Sequence, residues 1–272
     1  MTFEYSSIYY DSAAVRGRVI DIFSPDRPAE VGVFFVHGGG WNGGHREIFH
    51  TLMRALVEKG FMCASCDYRT GCGVTALDQL FDVRCGYGIF ADRLARRAST
   101  GKIVVHGSSA GAHLALLLSM AAPGEAGECL GGFGDLTVDP AKWTKPAGVV
   151  ASCAPVTFEP WDEIFPPIWD AMVRAAGKTF EQDPALYKRL SPICYVRHDS
   201  PPVFLMHAAN EHMFPLEIAN RFVDAMHGCK APVDLRIYPA AEHGFFYALS
   251  RRCQQQAFAD FVEFLAQTSG RA

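Results

Sequence analysis

Residues 102–120, KIVVHGSSAGAHLALLLSM, decide the fold of this chain. The apolar stretch 102–106 is rich in β-branched residues and predicts a buried strand, whereas the apolar spacing over 110–121 predicts a helix. Between them, GSSAG at 107–111 follows the pattern GxSxG. On a tight strand-to-helix turn this pattern presents the middle serine at the positive end of the helix, so Ser109 is the candidate nucleophile.

Apolar strands and helices alternate outward from this stretch along the chain. Strands are predicted at 17–23, 31–37, 61–66, 102–106, 147–153, 202–207 and 233–238. Helices are predicted at 45–59, 78–98, 110–121, 215–228 and 251–267. This alternation predicts an α/β fold with a mostly parallel central sheet and helices on both faces. Ligands bind at the carboxyl ends of such strands, so reactive residues should directly follow strands.

Length and composition favour one large domain, 1–272. Hydrophobic residues make up 49% and charged residues 20%, which excludes a disordered chain, and a net charge of −4 without basic clusters argues against nucleic acid. No apolar run is long enough to span a bilayer, and the first ten residues lack the order of a signal peptide. We therefore expect a cytoplasmic protein, monomeric or homodimeric, that binds no membrane.

The nine cysteines fit reduced thiols better than a disulfide scaffold. Cys63 and Cys66 have CxxC spacing, but no second ligand pair follows at zinc-site distance. We expect structural thiols, with no metal and no organic cofactor.

Two stretches interrupt the alternation of strands and helices. Residues 122–146 are rich in glycine and include GGFGD, and residues 155–190 begin with the aromatic stretch FEPWDEIFPPIW. We expect these two insertions to form a small cap over the site.

A second glycine motif, HGGGW at 37–41, follows the strand 31–37. Consecutive glycines allow backbone amides to converge on one point, as a developing oxyanion requires. We therefore predict an oxyanion hole formed by the amides of Gly39, Gly40 and Ala110.

A serine needs a base, and the base needs an acid that orients it. His243 lies in the loop after the last predicted strand, where this order of motifs places the base. In the loop after strand 202–207, Glu211 is the only carboxylate before the next helix. Glu211 is therefore the predicted acid, although its extra methylene relative to aspartate requires a slightly different loop.

These motifs, together with DYR at 67–69 and SPICYV at 191–196, resemble the α/β hydrolases over nearly the whole chain. Within them the chain is similar to compact esterases with an HGGGW loop, in the hormone-sensitive-lipase-like and acetylxylan- or feruloyl-esterase-like bacterial branch. The resemblance implies the α/β hydrolase fold and the same triad, with Glu211 where the family usually has aspartate. The acid loop departs from the family pattern, because HA replaces HG and Phe214 precedes Pro215 where the family has valine.

The resemblance implies a serine carboxylesterase that hydrolyses acetyl to butyryl, aryl or sugar esters through an acyl-enzyme. An arylformamidase would use the same triad, but that group often has a bulky aromatic residue where Gly40 stands. A non-catalytic ligand-binding homologue is the third alternative, although such proteins usually lose the serine or the histidine.

Substrate-binding residues are predicted mainly from the aromatic residues near the site loops. The candidates are Trp41, Ser108, Phe158, Trp161, Phe214 and Phe245. The alternative is that half or more of the aromatic residues pack in the core or the cap. A short cap favours small acyl groups over long lipids.

Overall fold

A computed structural model describes residues 3–10, 18–28, 30–98, 101–131 and 135–270. Within these residues, eight strands form one sheet in the order β1-β2-β4-β3-β5-β6-β7-β8. The strands are β1 (Phe3–Tyr9), β2 (Val19–Pro25), β3 (Val31–Val36), β4 (Cys63–Cys66), β5 (Lys102–Ser108), β6 (Gly148–Ser152), β7 (Val203–Asn210) and β8 (Val233–Glu242). Strand β2 is antiparallel to both β1 and β4, and all other neighbours are parallel.

Helices connect the parallel strands. They are α1 (His50–Val57), α2 (Ala76–Ala95), α3 (Ala110–Met120), α4 (Pro166–Ala176), α5 (Pro184–Arg189), α6 (Leu216–Gly228) and α7 (Arg252–Ser269), and a short 3₁₀ helix at Arg46–Phe49 precedes α1. The predicted helix at 45–59 is therefore divided between a 3₁₀ turn and α1.

Alternate side chains of the central strand β3 enter two separate cores. Phe34 and Val36 pack in the core that contains α2 and α3, whereas Val33 and Phe35 pack in the core that contains α1 and α7. All four side chains are fully buried, as expected for a strand covered on both faces. The predicted α/β architecture, mostly parallel and covered by helices on both faces, is confirmed.

The first strand, β1, is not among the predicted strands. It pairs with β2 along its whole length, but Tyr5 is 49% exposed and Tyr9 is 70% exposed. A half-exposed edge strand needs no continuous apolar run, so the pattern that identifies the buried strands does not reveal it. Residue 17, the first residue of the predicted strand 17–23, lies outside the described residues.

The segment 122–146 lies far from Ser109. Helix α3 runs from Ser109 toward the amino ends of the strands, and its 11 residues place the following segment roughly 16 Å away. Within its described part, Glu128 accepts a 2.6 Å hydrogen bond from Arg84, and the carbonyl of Thr144 accepts one from Tyr87. Both partners lie on α2. The expectation that 122–146 covers the site is therefore corrected, and residues 132–134 of its GGFGD stretch lie outside the described residues.

The segment 155–190 follows β6 and lies at the carboxyl ends of the strands. His113 lies in the first half of α3, and the Phe158 ring stacks on its imidazole with the ring centroids 4.4 Å apart. The Leu190 carbonyl accepts a 2.7 Å hydrogen bond from His113 Nε2. This segment therefore packs beside the turn that carries Ser109.

Two histidines lie entirely within the core. His106 in β5 donates from Nδ1 to the carbonyl of Val150, and burial lowers its pKa to about 3. Burial also lowers the pKa of His113 to about 4. Both rings are therefore neutral in the folded protein over the usual pH range.

All nine cysteines are free thiols.

Within the described part of the chain, no helix combines the length and apolar character needed to span a bilayer.

Candidate active site

Ser109 occupies a strained turn between β5 and α3. Its φ is 55°, a left-handed conformation that few residues other than glycine adopt. A Cβ at Gly107 would overlap the carbonyl oxygen of Gly111, and one at Gly111 would overlap the carbonyl oxygens of Val36 and His37. Both glycines of the GxSxG pattern are therefore required by close backbone contacts, and the turn leaves the Ser109 side chain partly exposed.

The structure brings Ser109, His243 and Glu211 together from the loops after β5, β8 and β7. His243 Nε2 lies 2.8 Å from Ser109 Oγ, and His243 Nδ1 lies 2.8 Å from Glu211 Oε2. Because a carboxylate accepts the proton on Nδ1, Nε2 is left to accept the hydroxyl proton of the serine. Such an arrangement of hydroxyl, imidazole and carboxylate is chemically able to activate a serine.

The Glu211 side chain is almost completely buried, with 1% of its surface exposed. Its second oxygen, Oε1, accepts backbone hydrogen bonds from Met213 at 2.8 Å and Phe214 at 3.3 Å. Burial opposes ionisation, but the hydrogen bonds and charge of His243 outweigh it, so the pKa of Glu211 lies below its usual value. An ionised carboxylate is therefore available to hold the imidazole near neutral pH.

The HGGGW loop lies directly against the nucleophile. A Cβ at Gly38 would lie 3.2 Å from Ser109 Cβ and 2.6 Å from the carbonyl oxygen of Ser108. The next two residues have the positive φ that favours glycine, 125° at Gly39 and 59° at Gly40. Around Gly40, an added Cβ would meet no atom within 4 Å. This loop therefore leaves open space immediately after its contact with Ser109.

The loop is held in place by three side chains. Tyr68 donates to the carbonyl of His37 at 2.7 Å, and Gln79 donates to the carbonyl of Trp41 at 2.6 Å. The indole N–H of Trp41 donates to His113 Nδ1 at 3.2 Å. The His37 ring stacks on Tyr68, and burial lowers the pKa of His37 to about 4. Trp41 is itself buried, so its ring anchors the loop to the core.

Five of the six predicted substrate-binding residues are buried, namely Trp41, Ser108, Phe158, Phe214 and Phe245. Ser108 and Phe158 have no exposed surface, and Phe245 is nearly buried against Tyr238. The structure therefore corrects the prediction that Trp41, Ser108, Phe158 and Phe245 line a substrate surface.

Trp161 and Phe214 form an aromatic wall next to the base. The ring of Phe214 lies 5.7 Å from that of His243, and the ring of Trp161 lies 6.3 Å from that of Phe214. A cleft of about 440 Å³ separates Trp161 from the start of α6. Trp161, which lines this cleft, therefore remains a candidate for contact with a substrate, whereas Phe214 is 3% exposed and is a candidate only through its position beside His243.

Two further residues at the site were not predicted from the sequence. The phenol of Tyr247 lies beside Ser108 and the backbone of Gly38, and burial raises its pKa. The thiol of Cys153, the residue after β6, lies with the Glu211 carboxylate and the His243 imidazole in a group whose ligand atoms are within 4.8 Å of one another. The only sequence indication for Cys153 is its position at the carboxyl end of a predicted strand.

The same three residues are the only group among the described residues whose spacing would suit a metal ion. Glu211 and His243 already bond to each other within it.

Comparison with known proteins identifies the family. The sequence model of the BD-FAE family matches residues 20–226, most of the chain. This chain belongs to the BD-FAE family. The BD-FAE match begins in β2 and ends in α6, so it contains Ser109 and Glu211, whereas His243 follows its end.

Several esterases resemble this BD-FAE chain. Esterase LipQ of Mycobacterium tuberculosis is 28% identical over 264 residues, which cover 91% of this chain and 59% of LipQ. The chain thus spans well under two thirds of the length of this curated relative. Esterase B from Lactobacillus rhamnosus superposes with a TM-score of 0.81 at 17% identity, over 99% of this chain and 87% of that one. Esterase 2 of Thermogutta terrifontis, with butyrate bound, superposes with a TM-score of 0.75 at 23% identity, over 97% and 94%. These superpositions show the α/β hydrolase fold.

Proposed function

We propose that this chain is a serine carboxylesterase that hydrolyses esters of short acyl groups, acetyl to butyryl, through an acyl-enzyme. The observation that carries the proposal is the continuous chain of two 2.8 Å contacts from Ser109 through His243 to Glu211. This chain has the almost completely buried, ionised Glu211 at one end and the partly exposed hydroxyl of Ser109 at the other. Such an arrangement activates a serine.

The reaction begins when Ser109 Oγ attacks the ester carbonyl while its proton passes to His243 Nε2. The tetrahedral intermediate collapses as the imidazolium returns that proton to the leaving alcohol, and the acyl group stays on Ser109. Water then attacks the acyl-enzyme, again losing a proton to His243, and the carboxylic acid leaves as Ser109 regains its hydrogen. Throughout, Glu211 stays ionised and stabilises the imidazolium.

The amides of Gly39, Gly40 and Ala110 are the proposed donors to the oxyanion. Ala110 is the first residue of α3, so its N–H has no acceptor within the helix. The contact of Gly38 with Ser109 brings the glycine loop to the same side. Each such donor contributes about 3 kcal/mol to stabilisation of the transition state.

Short acyl groups are favoured by the wall that Trp161 and Phe214 form beside His243. The segment 155–190 is proposed as a small cap of a single domain, and it contributes Trp161 to this wall. The butyrate bound to the similar Thermogutta esterase supports the same range of acyl length. Aryl and sugar esters are the proposed alcohol classes.

An arylformamidase remains the second candidate, because the same three residues would cleave a formamide. The open space around Gly40 argues for the esterase, since the bulky aromatic residue common in arylformamidases is missing there. Turnover of N-formylkynurenine, measured beside p-nitrophenyl acetate, distinguishes the two activities.

Ser109→Ala tests the proposal directly. We expect hydrolysis of p-nitrophenyl acetate to fall by roughly four to six orders of magnitude, with the melting temperature nearly unchanged. Ser119→Ala is the matched control, because Ser119 lies on the same helix and its hydroxyl donates to the carbonyl of Ala115, within α3. Near-normal hydrolysis by Ser109→Ala would refute the mechanism, and failure of the wild-type chain to react with a fluorophosphonate would favour the non-catalytic alternative.

A further inference from the structure

Cys153 stands at a strained position immediately after β6. Its φ is 49°, in the left-handed region, and its side chain is completely buried. Outside glycine, such a conformation is unfavourable and persists only where the surroundings hold it, often at functional sites. Ser109 shares this property. Cysteine at this position therefore calls for an explanation beyond backbone preference.

The backbone around Cys153 connects to both ends of the triad. The carbonyl of Ser152 accepts the N–H of Ser109 at 2.9 Å, and the N–H of Cys153 donates to Met206 in β7 at 2.9 Å. Glu211 lies five positions after Met206, the last residue of β7 that pairs with β6. The end of β6 is thus fixed relative to the nucleophile and to the strand that carries the acid.

The side chain of Cys153 contacts the acid itself. Its Sγ atom, a carboxylate oxygen of Glu211 and a ring nitrogen of His243 lie within 4.8 Å of one another. A buried carboxylate requires donors around it, and Glu211 has His243 on one oxygen and two backbone amides on the other. The thiol lies close enough to this carboxylate to be a further donor, from the side of β6.

The thiol stays protonated in this environment. Burial, reinforced by the charge of Glu211, raises the pKa of Cys153 to about 12. A neutral S–H group can donate a weak hydrogen bond to the carboxylate, but it is neither a nucleophile nor a second negative charge.

We propose that Cys153 is a positioning residue, whose S–H group holds the Glu211 carboxylate in the orientation that accepts from His243. This role rests on the proposed esterase function. Cys153 does not touch the substrate, so it acts on the rate only through the acid and the base.

Three substitutions of Cys153 distinguish the effect of its hydrogen-bond donor from the effects of side-chain volume and of backbone strain. Cys153→Ser keeps a donor, and we expect kcat within about threefold of wild type. Cys153→Ala removes the donor, and we expect kcat to fall by about five- to tenfold with KM unchanged. Cys153→Gly removes the donor and also relieves the strained φ, so kcat should fall even if the protein melts at the same temperature.

The matched control is Cys63→Ala. Cys63 is also completely buried, but it lies at the amino end of β4, away from the triad. We expect this control to lower the melting temperature without changing kcat.

The pH profile provides a measurement that a purely structural role would leave unchanged. Without the thiol, the Glu211 carboxylate is more basic and stabilises a positive charge beside it more strongly. We expect the acid limb of kcat/KM to move up by about half a pH unit in Cys153→Ala and to return in Cys153→Ser. His207 interacts with Glu211 and Tyr247 with Cys153, and both residues are unchanged in all variants.

The proposal is overturned if Cys153→Ala and Cys153→Gly keep the wild-type kcat and acid limb and differ only in melting temperature. Wild-type turnover that Ser109→Ala abolishes establishes the esterase function separately from this result. If the wild type hydrolyses no ester, titration of the His243 Nδ1 proton by NMR decides the role of Cys153, since a midpoint equal in wild type and Cys153→Ala overturns it.

Discussion

The two segments 122–146 and 155–190 both interrupt the alternation of strands and helices in the sequence, but they lie at opposite ends of the sheet. The first follows α3, which carries the chain toward the amino ends of the strands, and it packs on α2. The second follows β6, which carries the chain toward the carboxyl ends, and it packs beside Ser109. The direction of the preceding element therefore decides whether an insertion can reach the site.

This contrast predicts two kinds of mutational effect. Substitutions at the carboxyl ends of the strands should change the rate or the substrate preference. Substitutions at the amino ends should change the free energy of unfolding and leave catalysis unaltered.

The largest effect in this comparison is expected at Glu211, at the carboxyl end of β7. Glu211→Gln keeps the shape of the side chain but removes the charge that holds the protonated imidazole, so kcat should fall by roughly three to four orders of magnitude. Steady-state hydrolysis of p-nitrophenyl acetate measures this loss. The control is Glu242→Gln, an exposed carboxylate directly before His243, which should stay within about threefold of wild type. A severe loss in the control and a mild one at Glu211 would assign the acid elsewhere.

At the amino ends, the buried ion pair between Arg84 and Glu128 should show the largest effect on stability. Neither side chain has exposed surface, and burial lowers the pKa of Arg84. Glu128→Gln leaves the guanidinium without its counter-charge and should reduce the free energy of unfolding by about 3–5 kcal/mol, as measured by urea denaturation.

The exposed pair of Arg197 and Glu125 is the matched control for this measurement. Glu125→Gln should cost less than about 1 kcal/mol, because water screens the pair. A loss of kcat/KM in folded Glu128→Gln would show that segment 122–146 does influence the site.

The smallest effect is expected from a matched pair of half-buried tryptophans, one in each segment. Trp161 lies in the aromatic wall beside Phe214, whereas Trp143 packs on Tyr87 at 4.9 Å. Trp161→Ala should change the relative kcat/KM for acetyl, butyryl and decanoyl esters by about tenfold, because it removes apolar contact beside the base. Trp143→Ala should lower the melting temperature and keep the acyl preference. Equal acyl profiles for both variants would contradict the assignment of 155–190 to the site.

The sequence predicted most of the fold because buried parallel strands are continuous apolar runs. Strand β1 was missed because half-exposed residues such as Tyr5 form no such run. The segment 122–146 was misplaced because composition marks an insertion but not the end of the sheet at which it lies. The end of the sheet that this segment reaches can be assigned only once the strand order and the direction of α3 are known.

The meeting of Ser109, Glu211 and His243 could be predicted from the sequence because each occupies a loop directly after a strand. The contribution of Cys153 could not, since a buried thiol at the end of a strand has the same pattern as a core thiol. Ser108 and Phe158 were predicted to bind substrate because they lie near reactive loops in the sequence, but both side chains are buried. Proximity in sequence to a reactive loop does not determine which way a side chain points.

The buried histidines have a consequence for the response of the whole molecule to acid. The rings of His37, His106 and His113 stay neutral in the folded protein down to a pH of about 4 or 3. In the unfolded chain the same rings take up protons below a pH of about 6.5. Between these limits the unfolded chain binds more protons, so stability declines as the pH falls through this window. Mild acidification therefore weakens the scaffold beneath the glycine loop and the nucleophile turn, independently of any change in the charge of the triad.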